Sequence, residues 1–257
     1  MVDSAQVAKT TARLAEAGIK LVTPVPERAP ALAKITLRHR YSQEEAVSLF
    51  FGDSEGTILR HEEPGRTIYR RGNEILTFYD NGAMIFRLES NQVPVILDSA
   101  AARRIFDEFW VERGGLPDGA RFDSIYQDER SGKFLVYYYQ EVDNRVIYGG
   151  QAVGMVGPGG LETVLLTWFD VTGSAGRKRA VIPPTDALEM VAGQVKGTWP
   201  AREFIVEALS LGYFTEPYNA RQWEAVPVWR VRFRDGRVYY VNAYTGEMEM
   251  PSGNLFR

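Results

Sequence analysis

Hydrophobic positions change their period several times along the chain, and each change marks an element. Residues 3–17 carry Val7, Thr11, Leu14 and Ala15 near helical spacing, with Gly18 as a stop. Residues 19–22 are apolar, and Pro24, Pro26 and Pro30 then punctuate an extended connector. Residues 32–40 read as a strand through Leu32, Ile35 and Leu37. Ser42 and Glu45 have capping-box spacing ahead of a helix that buries Ala46, Leu49 and Phe50 and ends at Gly52. Short strands follow near 57–60, 66–71, 74–79 and 83–88, with Asp80-Asn81-Gly82 as a turn. Asp98-Ser99 opens a second helix with a wide apolar face of Ala102, Ile105, Phe106, Phe109 and Trp110, stopped by Gly114-Gly115.

Paired strands are expected near 121–128, 133–142, 145–156 and 161–171. The tyrosine-rich segment 134–139 is expected to be central. Residues 173–176 read as a polar loop. A third helix starts at Pro183-Pro184-Thr185-Asp186 and turns Leu188, Val191, Ala192 and Val195 inward. The period of 202–214 is ambiguous, and alternation over Ile205, Leu209, Leu211 and Tyr213 favours a strand. Helix-then-sheet recurs three times, which argues for an α+β class with antiparallel sheets. The expected division is an N-terminal helix and Pro-rich entry (1–30), a first α+β unit (31–96) and a larger second domain (97–257).

The last stretch, 227–250, alternates most clearly. Asp235-Gly236 fits a two-residue type I′ turn, with positive φ at both positions. That turn opposes Arg234 to Arg237, Phe233 to Val238, Val231 to Tyr240 and Trp229 to Asn242. Trp229, Val231, Phe233, Val238 and Tyr240 then form a core face, expected to meet the helix through Leu188, Val191 and Val195. Arg230, Arg232, Arg234, Arg237 and Tyr239 form the other face.

The wording of this hairpin, "PVWRV…DGR.YYVNA.TGE.E", resembles the end of PepSY-type modules, and within them the C-terminus of YycI (WalI) proteins. The entry of the chain, a leader helix followed by Gly18-Ile19 and a Pro-rich segment, is similar to the family's segment just outside the membrane. The resemblance implies repeated PepSY-like units, each a helix packed on an antiparallel sheet. It also implies a non-catalytic extracytoplasmic domain that works with a YycH-like protein and a WalK-type sensor histidine kinase of the cell-wall two-component system. A transmembrane helix ahead of this chain would anchor it. If the chain is complete, the expected place is the cytoplasm.

Composition narrows the alternatives. A formal net charge of −3 over 257 residues leaves no basic footprint for nucleic acid. Thirteen Tyr, thirteen Phe and five Trp favour β-rich structure. Without Cys there is no thiol catalysis, disulfide or thiolate metal site. No run of about 18 apolar residues spans a membrane, and no signal peptide is evident.

Candidate chemistry is thin. His39 and His61 sit in separate elements without metal-ligand spacing. The string from Gly149 to Gly154 continues a strand and reads as bulges, not as a phosphate loop. Glu44, Glu45, Glu108, Asp123, Glu141 and Asp170 cannot be paired across a cleft from sequence. No cofactor or metal is expected. The candidate partner surface is Arg230, Arg232, Tyr239, Tyr138 and Tyr244, although a solvated or helix-covered sheet face for the arginines and packing against a neighbouring unit for the tyrosines are the favoured readings. The sheet edges expected to bind are the C-terminal hairpin and strand 134–142. The alternative function is a stand-alone PepSY-like module that binds a ligand or inhibits a peptidase. A hydrolase stands third and would need two facing carboxylates or a metal.

Overall fold

The computed structural model describes residues 2–52, 56–89, 97–128, 130–195 and 204–249. The chain runs through α1 (Ser4–Glu16), β1 (Ile19–Leu21), β2 (Leu32–His39), α2 (Gln43–Phe51), β3 (Leu59–Glu63), β4 (Arg66–Arg71), β5 (Glu74–Tyr79) and β6 (Met84–Leu88). It continues through α3 (Ser99–Val111), β7 (Ala120–Gln127), β8 (Phe134–Val142), β9 (Arg145–Gly157), β10 (Gly160–Thr167) and β11 (Phe169–Arg179). The last elements are α4 (Pro184–Val195), β12 (Phe204–Phe214), β13 (Trp223–Phe233), β14 (Val238–Asn242) and β15 (Met248–Glu249). Two compact units result. Unit 1 comprises Met1–Thr36, Thr172–Glu216 and Glu224–Arg257, and unit 2 comprises Leu37–Val171 and Pro217–Trp223.

This division is discontinuous, whereas the pattern along the chain suggests one cut near 90–98. Most of that cut, with Pro94, lies outside the described residues. The reason for the discontinuity is pairing between distant strands. β6 pairs with β10 (Val164 opposite Phe86), so segments on both sides of the expected cut share one sheet.

In unit 2 the strands follow the order β3-β4-β5-β6-β10-β9-β8-β7, and every pairing is antiparallel. α2 begins with the expected capping box. The Glu45 amide donates to Ser42 Oγ at 3.2 Å, and the Ser42 amide donates to Glu45 Oε2 at 2.8 Å. Phe50 and Phe51 from α2, and Phe106, Phe109 and Trp110 from α3, share one apolar cluster with Phe86, Val136, Val164 and Leu166 of the sheet. Burial of each such side chain stabilises by roughly 1.5–3 kcal/mol. Gly154 lets α3 approach, since a Cβ there would lie 2.5 Å from the Phe106 ring. Type I′ turn geometry, expected at Asp235-Gly236, occurs instead in this unit, at Asp143 (φ 50) and Asn144 (φ 59) between β8 and β9.

In unit 1, α1 and α4 lie together. Gln6 Nε2 donates to Thr185 Oγ1 at 3.0 Å, and Thr10 Oγ1 and Arg13 reach Glu189 at 3.0 and 2.6 Å. Their apolar sides, Leu14 with Leu188, Val191 and Val195, cluster with Trp229, Val231, Phe233 and Val241. β12 pairs antiparallel with β13 and parallel with β1. β13 pairs also with β14 and β2, and β2 with β11. Residues 173–176, expected as a polar loop, lie inside β11. β11 has no apolar alternation in this region because its side chains are largely exposed.

Candidate functional site

The C-terminal hairpin closes differently from the two-residue turn expected for Asp235-Gly236. Phe233 and Arg237 pair, with the Phe233 amide donating to the Arg237 carbonyl at 2.8 Å. The loop is therefore Arg234-Asp235-Gly236. Only Gly236 (φ 86) takes positive φ, as in a type I turn followed by a left-handed residue. The extra loop residue shifts the register by one. Val231 faces Tyr239, Trp229 faces Val241 and Arg230 faces Tyr240. A one-residue slip exchanges the faces of the second strand. Tyr239 therefore belongs to the helix-facing side with Phe233, 5.6 Å between ring centroids, and Tyr240 to the opposite side, stacked on Phe214 at 4.6 Å. The first strand keeps its expected inward set. Trp229 is 1% exposed, and its Nε1 donates to the Ile182 carbonyl at 2.9 Å.

The five candidate surface residues occupy mostly covered positions. Arg230 is 4% exposed, because its face of the sheet is packed and not solvated. Arg232 is half-buried, 3.6 Å from Glu207. Glu207 also takes Arg234 at 2.7 Å. The expected Arg234–Arg237 opposition is absent. Arg237 folds back onto Asp235 at 2.8 Å and over the Phe204 ring. Tyr138 is 5% exposed, and its hydroxyl donates to Asp107 at 2.5 Å. Burial, and then the Asp107 carboxylate, push its pKa up to about 12. Tyr244 is half-buried and donates to the Leu32 carbonyl at 2.7 Å, with the Arg179 guanidinium 4.8 Å from its ring centroid. Burial raises its pKa above the usual phenol value. Strand 134–142 is central as expected, and β7 and β9 occupy both its edges. It therefore offers no free edge, which corrects its selection as a binding edge. β15 covers part of the hairpin's outer edge, at Tyr240 and Val241.

The other candidates have structural partners. His39 Nε2 lies 2.8 Å from the Tyr218 carbonyl, and its ring is 4.6 Å from Trp223. Burial lowers its pKa below the usual 6.5. His61 is exposed, 3.6 Å from Glu63. Asp170 takes Arg38 and Arg40, Glu141 takes Arg121, and Asp123 accepts from Ser124. Gly149 and Gly150 fall at an irregularity of β9, where Tyr139 pairs with Gln151 but Gln140 with Ile147. An open cleft by the end of α2 is lined by Ser48, Phe51, Arg71, Glu74 and Arg113. Its cations are occupied: Arg71 donates to the Phe51 carbonyl and Glu74, and Arg113 to the Phe50 and Phe109 carbonyls. Positive charge there complements the C-terminal end of the α2 dipole. Among the described residues no group of three or more His, Asp or Glu could hold a metal ion. No helix among them is long and apolar enough to cross a membrane.

Residues 181–248, the segment that begins before α4 and ends in β15, match the family described as "Peptidase propeptide and YPEB domain", PepSY. This portion of the chain is therefore PepSY-like, in the helix-then-antiparallel-sheet arrangement seen in unit 1. No curated protein matches the sequence significantly. Among solved structures, an uncharacterized protein from Eubacterium rectale is similar with a TM-score of 0.56 at 10% identity, over 91% of each chain. YycH from Bacillus subtilis is similar with a TM-score of 0.51 at 8% identity, over 84% of this chain and 53% of YycH. This chain thus corresponds to about half of YycH. The Bacillus megaterium YpeB C-terminal domain aligns over 83% of this chain with a TM-score of 0.44 and 10% identity. For the first two structures the likeness is one of fold: a sheet-dominated chain, with four helices among the described residues, of PepSY-like and YycH-like type.

Proposed function

We propose that the chain is a non-catalytic, extracytoplasmic regulatory domain that acts by binding other proteins. The observation that carries this reading is the coincidence of a PepSY-like segment (181–248) with a fold like that of YycH. The finer reading is a domain of the YycI type that contacts a YycH-like protein and modulates a WalK-type sensor histidine kinase. It is held at the membrane by a helix ahead of Met1. Side-chain chemistry is consistent with binding. Arg71, Glu74 and Arg113 of the α2 cleft, and His39, are engaged in holding the fold. The word "propeptide" in the family description favours one second reading, a module that inhibits a peptidase.

The test is a pull-down of the chain against a YycH-like ectodomain and a WalK-type kinase sensor domain. It is repeated in cells with an N-terminal membrane helix, since confinement to one membrane raises effective concentration. Capture of either partner is the expected result. Failure in both formats, with hydrolysis of a defined substrate, would overturn the reading. Inhibition of a peptidase in place of kinase contact would favour the second reading.

A further inference from the structure

We propose that the outer edge of β11, over Thr172–Arg179, takes up an extended acidic segment of a partner protein as an added strand. In the sheet β11 is terminal: β2 occupies one edge, and no described strand occupies the other. Thr172, Gly173 and Ser174 are exposed, as are Gly176, Arg177, Lys178 and Arg179. Eight residues of strand present an edge about 26 Å long, enough for a peptide of similar length. Gly173 has ordinary φ, and a Cβ there would meet nothing within 4 Å, so internal packing does not require a glycine at this position. A bare backbone suits close approach by another chain.

Charge selects the occupant. In this acidic protein arginines are habitually paired; Arg13, Arg38, Arg66, Arg71, Arg121 and Arg234 all meet carboxylates within 3.0 Å. Arg177 and Lys178 make no ion pair with any described residue, and Arg179 rests on the Tyr244 ring. Three consecutive cations at the end of a free edge favour an acidic partner strand. Backbone pairing supplies affinity, and the charges set direction and register. They also repel a second copy of the same edge, as charged edges do. The inference rests on the reading of the chain as a binding module and names a surface for it.

The probe is a fluorescein-labelled peptide of alternating Glu and Val, eight residues long, followed by fluorescence anisotropy with the full chain. Saturable binding is expected. Arg177→Glu with Lys178→Glu should weaken it at least about tenfold, while Lys9→Glu with Arg28→Glu, the same charge change elsewhere, should leave it within about twofold. Full N-methylation of the peptide backbone keeps its charge, removes every donor and should abolish binding. The proposal is overturned if the N-methylated peptide binds equally, or if vesicles of anionic lipid compete while unlabelled peptide does not. It is likewise overturned if the unmodified peptide fails to bind, or if sedimentation shows a dimer that the double variant dissolves. Should the pull-down succeed with the Arg177/Lys178 variant, the regulatory reading stands and this surface falls. Should it fail for the parent chain while the peptide binds, the reverse holds.

Discussion

Trp229→Ala is the sharpest probe of the core of the PepSY-like segment. Trp229 is 1% exposed, lies in the cluster with Leu188, Val191 and Val195, and donates its indole N–H to the Ile182 carbonyl at 2.9 Å. Truncation removes the ring from between helix and sheet and leaves a cavity, which for Trp costs about 3–5 kcal/mol. Loss of the hydrogen bond adds about 1 kcal/mol if the Ile182 carbonyl stays dry. Trp229→Phe separates the two contributions. It keeps most of the apolar volume, loses the donor, and should cost about 1–2 kcal/mol. Urea unfolding followed by far-UV circular dichroism would show the midpoint of the transition involving unit 1 falling in the order parent, Phe, Ala. A cost below about 1 kcal/mol for the alanine variant would mean that the indole is not enclosed between helix and sheet, and the inward assignment of β13 would fail.

Three further outcomes are expected. Gly154→Ala should destabilise unit 2 by about 1–3 kcal/mol, seen as a lowered Tm. Adding Phe106→Leu should recover part of that loss, because the added Cβ would lie 2.5 Å from the Phe106 ring. Ser42→Ala should cost about 1 kcal/mol in denaturant titration through loss of the α2 cap. Because burial lowers the folded pKa of His39, the unfolded chain takes up the proton first as pH falls below about 6.5. The contribution of neutral His39 is full above that value and is lost as pH falls through the lower folded pKa. His39→Gln should flatten this part of the stability profile between about pH 7 and 5, and an unchanged slope would refute it.

Much was determined locally. Ser42-Gln43-Glu44-Glu45 caps a helix because the partner groups lie three residues apart and need no other part of the chain. Leu188, Val191 and Val195 turn inward because helical spacing puts them on one side of α4. Trp229, Val231 and Phe233 share a face because alternate residues of any strand do. The PepSY-like wording of 227–250 was legible for the same reason: it is contiguous.

What the tertiary structure decided concerns pairing between distant segments. Asp235-Gly236 permits two loop lengths, and placing Val241 rather than Tyr240 in the cluster with Trp229 accompanies the longer one. Arg230 and Tyr138 read as surface residues, yet are buried, because the sequence alone does not show what covers a given face of a sheet. Residues 173–176 read as a loop, since an edge strand with exposed side chains needs no apolar period; β2 pairs with β11 to hold it extended. The division into units follows the same rule. β6 meets β10, and β1 meets β12, across more than seventy and more than one hundred and eighty residues. Hydrophobic period is a property of neighbours along the chain, whereas strand order and burial depend on backbone hydrogen bonds between segments that sequence proximity does not relate.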